Sequence, residues 1–196
     1  MNKGEYLDSI LRSEKTVFTL KDVALLWQEG DDDSIRARLN YYVRSGSLHR
    51  VRRGVYVKDK NYDKLELAVR VFTPAYVSFE TVLAREGLIF QYQDSITVAS
   101  YLTREIVMDG QKYEYRKIKD SVLTNTDGVM QQENLWIASR ERAFLDVLYS
   151  KTDYHFDNLR SVNWDTVESL LPIYDNKRLT KKVRQIRKET KDQGVQ

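Results

Sequence analysis

Apolar positions recur every three or four residues through the first 45 positions, and the pattern then shifts to alternation. Tyr6, Leu7, Ile10 and Leu11 share one helical face, which predicts a first helix over about 2–13. A short extended piece is expected at 16–19. Thr19 then stands where an N-cap belongs, ahead of an apolar face made by Leu20, Val23, Ala24, Leu26 and Trp27, with Gly30 as the stop. The polar turn 31–34 caps a third helix over 35–45, closed by Gly46. Residues 47–51 and 55–57 read as two strands around Arg52-Arg53-Gly54. Helix, short strand, helix, turn, helix and hairpin is the order of a winged helix-turn-helix, expected over 1–60.

From Asn61 onward the pattern becomes richer in strands. A helix is expected over 62–72 and ends before Pro74, with a strand at 76–78 and a helix over 79–86 closed by Gly87. Segments 95–102 and 105–108 read as strands. Asp109-Gly110 is a type I′ hairpin signal leading into 112–118. Segments 121–124 and 134–138 are further strand candidates around Asp127-Gly128. Ser139 caps a helix over 140–149 whose Ala143, Phe144, Val147 and Leu148 turn inward, and helices over 164–171 and 177–191 flank Pro172. The fold class expected is α+β: the winged helix-turn-helix, then a mixed α/β domain over 61–196 with an antiparallel sheet and C-terminal helices.

The third helix divides into faces at about 100° per residue. Ile35, Leu39, Tyr42 and Val43 fall together and should pack on the first two helices. The other side presents Ser34, Arg38 and Tyr41, flanked by Arg36, Asn40 and Arg44. A helix entering a DNA major groove needs one apolar stripe to anchor it and donors opposite to reach base edges and phosphates. Arg38 and Asn40 have chemistry suited to guanine and adenine edges. Leu48-His49-Arg50-Val51-Arg52-Arg53-Gly54-Val55-Tyr56-Val57 interleaves apolar and basic residues, so Arg50, Arg52 and Arg53 are expected near the phosphate backbone. His49 reads as a packed or surface wing residue. Asp31, Asp32 and Asp33, at the helix start, favour the helix dipole but repel phosphate.

Charge sharpens this picture. Residues 1–60 carry 12 Lys and Arg against 9 Asp and Glu, residues 61–175 carry 12 against 18, and residues 176–196 carry 8 against 2. Within 36–60, eight basic side chains face a single acid, Asp59, a local field that nucleic acid would feel. The chain has no cysteine, which excludes disulfides, thiol nucleophiles and cysteine-ligated metals, and two histidines, His49 and His155, 106 residues apart. Its longest uncharged runs are nine residues, against about 20 apolar residues for a membrane helix. No signal-peptide apolar segment opens the chain, so a soluble cytoplasmic protein without cofactor, metal or membrane partner is expected.

Phosphate-loop, dinucleotide-fold, zinc-protease and serine-hydrolase motifs are all absent. Ser45-Gly46-Ser47 suggests a nucleotidyltransferase turn, but arginines stand where metal-binding carboxylates are needed. Glu141 with Asp146, or Asp153 with Asp157, are paired carboxylates no denser than 29 acids would scatter. Tyr113 and Tyr115 read as sheet aromatics and Ser139 as a cap. No catalytic residue is expected, and the chain is not expected to be an enzyme.

Three segments together resemble the AbiEi-type antitoxins. They are the wing from Leu48 to Val57, the stretch Pro74-Ala75-Tyr76-Val77-Ser78-Phe79-Glu80-Thr81-Val82-Leu83 with Glu86-Gly87-Leu88, and Ile137-Ala138-Ser139-Arg140-Glu141-Arg142-Ala143-Phe144-Leu145-Asp146. The likeness covers about 5–150 in the same order; the final basic helix lies outside it. It implies a bacterial antitoxin of a type IV toxin–antitoxin module linked to abortive phage infection. The winged helix would bind inverted repeats of double-stranded DNA in its own promoter and repress the operon. The second domain would counter a cognate nucleotidyltransferase-like toxin. A monomer is favoured. The competing expectation is a non-catalytic protein-interaction module that works through the acidic second domain and keeps the winged helix as scaffold.

Overall fold

The structure is a computed structural model that describes residues 4–151 and 153–193. It is an α+β protein with a small three-stranded sheet and a six-stranded mixed sheet. The N-terminal elements are α1 (Glu5–Arg12), β1 (Val17–Thr19), α2 (Leu20–Trp27), α3 (Asp32–Arg44), β2 (His49–Arg52) and β3 (Val55–Val57). Positions 2 and 3 of the expected first helix lie outside the described residues. Thr19 caps α2 through a reciprocal box: its hydroxyl accepts the Asp22 N–H, and the Asp22 carboxylate accepts the Thr19 N–H. Gly30 does not end that helix. Gln28 already takes the left-handed position, at φ 52°.

The small sheet has the order β1-β3-β2, all antiparallel, and is buried on both faces. Successive strand residues point to opposite sides. Phe18 and Tyr56 accordingly join Ile10, Val23, Trp27, Ile35 and Leu39 under the three helices. Val17, Val55 and Val57 join Leu67, Ala68, Val98, Tyr113 and Tyr115 on the other side. Thus the boundary expected between 1–60 and 61–196 is spanned by a shared apolar layer. Glu66 strengthens the junction by accepting both the N–H and the hydroxyl of Thr16.

The rest of the chain supplies α4 (Lys64–Val71), β4 (Ala75–Val77), α5 (Glu80–Arg85), β5 (Ser95–Ser100), β6 (Arg104–Met108), β7 (Gln111–Lys117), α6 (Asp120–Leu123), β8 (Val129–Gln132), β9 (Leu135–Ala138), α7 (Arg140–Ser150), α8 (Trp164–Leu170) and α9 (Lys177–Gln193). The large sheet runs β6-β7-β5-β4-β9-β8, with β5–β7 and β4–β9 parallel and the other pairs antiparallel. It is therefore mixed rather than antiparallel. Asp109 and Gly110 both take positive φ, as a type I′ turn requires.

Two expectations fail here. Residues 120–123 form the single helical turn α6, not a strand; Thr124 caps it, and the Val122 carbonyl accepts from the buried Arg142 guanidinium (2.7 Å). Pro172 does not simply break the chain; it opens a 3₁₀ turn, Leu171–Tyr174, that continues α8. No helix among the described residues is long and apolar enough to cross a membrane.

Candidate nucleic-acid interface

The helix α3 begins three residues before the expected position. Asp31 caps it by accepting the Asp33 N–H (3.1 Å), so Asp32 and Asp33 lie in its first turn, where the dipole favours acids. Ile35, Leu39 and Tyr42 are buried and anchor it. What remains exposed divides into two rows. Arg36, Asn40 and Arg44 follow one another at four-residue spacing; Ser34, Arg38 and Tyr41 form the other row. Arg36 and Arg38 are about 160° apart around the axis, too far to share one groove wall.

The hairpin adds a second asymmetry. Its turn, Arg53-Gly54, places Gly54 at φ 78°, a conformation glycine adopts without a Cβ clash. Arg50 pairs with Tyr56 but Arg52 pairs with Val55, so a bulge lies between them. In a regular strand Arg50 and Arg52 would share a face, and the extra residue breaks that relation. Arg50 and Arg53 turn toward α3. Arg52 instead lies over the Phe72 ring, 5.2 Å from its centroid, against the body of the protein.

A cleft of about 590 Å³ between α3 and the hairpin gathers Arg36, Asn40, Arg50 and Arg53, with Leu20, Gly54 and Tyr56 completing its walls. Arg50 and Arg53 have no carboxylate within ion-pair reach among the described residues. Arg36 meets Asp32 (3.1 Å) and Asp33 (3.0 Å), and all three side chains are exposed. Exposed pairs of this kind hold together by at most about 1 kcal/mol, so a phosphate can compete for Arg36. Arg44 is exposed and free of acids among the described residues.

No known family model matches the chain, and no curated protein does.

Two expected contacts are diverted. Arg38 packs over the Tyr6 ring (3.9 Å to its centroid) with Glu29 3.6 Å away, on the opposite side of α3 from the cleft. Arg52 faces the body for the reason given above. Tyr41, 63% exposed, lines the same side of α3 as Arg38, and Ser34 does not line the cleft. His49, half buried, pairs with Val57 in the β2–β3 hairpin. The nine expected residues therefore reduce to a convergent set of four, with Arg44 extending its row.

A second polar assembly escaped sequence reading. Arg142 and Asp146 are completely buried on α7. Asp146 accepts the hydroxyls of Ser78 (2.7 Å), Tyr76 (3.0 Å) and Tyr174 (2.7 Å), while Arg142 donates to the carbonyls of Asp127 and Val122 and to the Tyr76 hydroxyl. Burial pushes the Tyr76 and Tyr174 hydroxyls far above the usual tyrosine range, and the nearby Asp146 charge adds to it, so both remain neutral donors. The signal was the four-residue spacing of Arg142 and Asp146 on the inward face. The carboxylates considered as catalytic pairs hold structure too: Glu141 accepts the Asn163 N–H and Asp157 the Phe90 N–H.

Helix α9 sorts its charges by face. Leu179, Val183 and Ile186 are buried against the body. Lys182 meets Asp153, and Arg187 meets Asp165 and Glu168. Lys177, Lys181, Arg184, Lys188 and Lys191 follow one another at alternating four- and three-residue steps, forming one outward cationic row without an ion pair among the described residues.

Proposed function

We propose that this protein binds duplex DNA and acts as a transcriptional repressor, without catalysis. The observation that carries this reading is the cleft in which Arg36, Asn40, Arg50 and Arg53 converge between a helix and a tight hairpin. Read as a winged helix-turn-helix, α3 enters the major groove with Asn40, whose amide matches the adenine edge. Arg50 and Arg53 at the hairpin take the flanking phosphates, and Arg36 exchanges its aspartates for a phosphate or a base edge. Of the acidic triplet, Asp31 is occupied as the cap of α3, while Asp32 and Asp33 compete with the phosphate for Arg36.

The antitoxin part of the reading rests on the resemblance of the three segments to AbiEi-type proteins. It predicts a co-encoded nucleotidyltransferase-like toxin whose growth arrest this chain relieves. Duplex selection from random sequence, followed by binding assays at several salt concentrations, tests the DNA part. With three or four phosphates neutralised, log K falls against log salt with a slope of about −3. Absence of duplex binding at low salt would favour the protein-interaction module.

A further inference from the structure

A cleft of about 530 Å³, separate from the one beside α3, opens where α4 and β4 meet the β8–β9 hairpin, and its volume is that of a small-molecule site. Gln131 and Trp136 are directly paired across β8 and β9, so an amide and an indole stand side by side on one face. The indole is 41% exposed and has no partner ring among the described residues. Neither the Gln131 nor the Asn134 amide makes a side-chain hydrogen bond among the described residues. Pro74 and Leu123 supply apolar walls.

The opposite wall is cationic. Arg70 reaches Asp22 and the Asn134 carbonyl only at 3.5 and 3.3 Å, and its Nε, without a hydrogen bond, lies 3.9 Å from the Glu66 carboxylate. Lys15 lies beside it with its ammonium on the same Asp22 carboxylate. Two carboxylates, Asp22 and Glu66, thus stand behind the two cations, but every Arg70 contact is 3.3 Å or longer. A guanidinium with long contacts gains by taking an anion.

We infer that this cleft binds a nucleoside monophosphate. The base stacks on Trp136, its hydrogen-bonding edge meets the amides of Gln131 and Asn134, and the phosphate sits at Arg70 and Lys15. Stacking on an exposed indole beside unpaired amides is chemistry suited to a base, whereas a simple aromatic carboxylate would leave those amides unused. Lys15 precedes β1 of the small sheet and Arg70 belongs to α4, so the ligand bridges the N-terminal module and the body. This site does not depend on the DNA-binding reading.

Tryptophan fluorescence of the full chain, titrated with the 5′-monophosphates of adenosine, guanosine, cytidine and uridine, tests it. The free nucleosides, inorganic phosphate and a short oligothymidylate are the comparison arms. At least one monophosphate should quench saturably, and Trp136→Phe should remove most of that quench. By equilibrium dialysis, Arg70→Gln should weaken the monophosphate by at least about tenfold while leaving the free nucleoside unchanged. Gln131→Leu, on the exposed β8, should weaken both without disturbing the fold. No saturable quench by any monophosphate would overturn the inference. So would unchanged binding in Arg70→Gln and Gln131→Leu, or binding of the oligonucleotide alone.

Discussion

Arg142 and Asp146 stand one turn apart on α7 with no solvent contact, the Arg142 Nε 3.5 Å from the Asp146 carboxylate. Around them α6, β4, α7 and the 3₁₀ turn after α8 are tied to one polar centre inside an otherwise apolar core. Such a pair stabilises only as a complete set, since each charge is costly to bury without the other.

Removing one partner should therefore be severe. Asp146→Ala strands the Arg142 charge and is expected to cost about 3–5 kcal/mol in urea unfolding, while the double variant Arg142→Met, Asp146→Leu should cost clearly less. Equal losses in the single and double variants would mean that packing, not charge pairing, dominates this centre.

Acid should weaken the fold at the junction of the two halves. Burial alone would raise the Asp22 carboxyl, but hydrogen bonds from Lys15 and Thr19 and the charge of Arg70 outweigh it and hold Asp22 below the usual range. Burial likewise opposes ionisation of Glu80, and Lys151 and Arg116 overcome it in the same way. A carboxyl lowered on folding adds stability above its unfolded value, about 4, and loses it as pH falls through the lower folded value. Stability measured between pH 6 and pH 3 should drop in that range, and Asp22→Asn should flatten part of the drop.

At the β2–β3 turn, Gly54→Ala should cost about 1 kcal/mol through backbone strain alone, because a Cβ there would meet open space while φ stays at 78°. If the cleft beside α3 holds DNA, the same variant should also weaken that binding by moving Arg53. Full stability together with full binding would show that the turn tolerates a side chain.

Much of the fold was legible because its local grammar is strong. Thr19, Asp31 and Ser139 cap their helices, Asp109-Gly110 turns its hairpin, and Val55-Tyr56-Val57 alternates between two buried faces. The arginines of the wing were legible as charge but not as direction. The bulge after Arg50 obeys no signal in the local pattern, and it alone sends Arg52 to Phe72. Arg38 was lost to the cleft for another reason: it lies about 160° around α3 from Arg36, and Tyr6 and Glu29 hold it on that side. The inward Arg142 and Asp146 were hidden because charged residues on a helix are normally solvated, and only tertiary partners reverse that. The short α6 read as a strand because the β-branched Val122 and Thr124 favour one, whereas the Val122 carbonyl meets the Arg142 guanidinium only in the folded chain.

The sharpest test compares Arg53→Ala with Arg52→Ala in duplex binding, measured by fluorescence anisotropy across a salt series. These are neighbouring arginines that composition cannot tell apart. If the cleft between α3 and the hairpin is the DNA surface, Arg53→Ala weakens binding to every duplex and makes the salt slope shallower by about 1, while Arg52→Ala changes the slope little. Equal effects from the two variants, or none from Arg53→Ala, would contradict it.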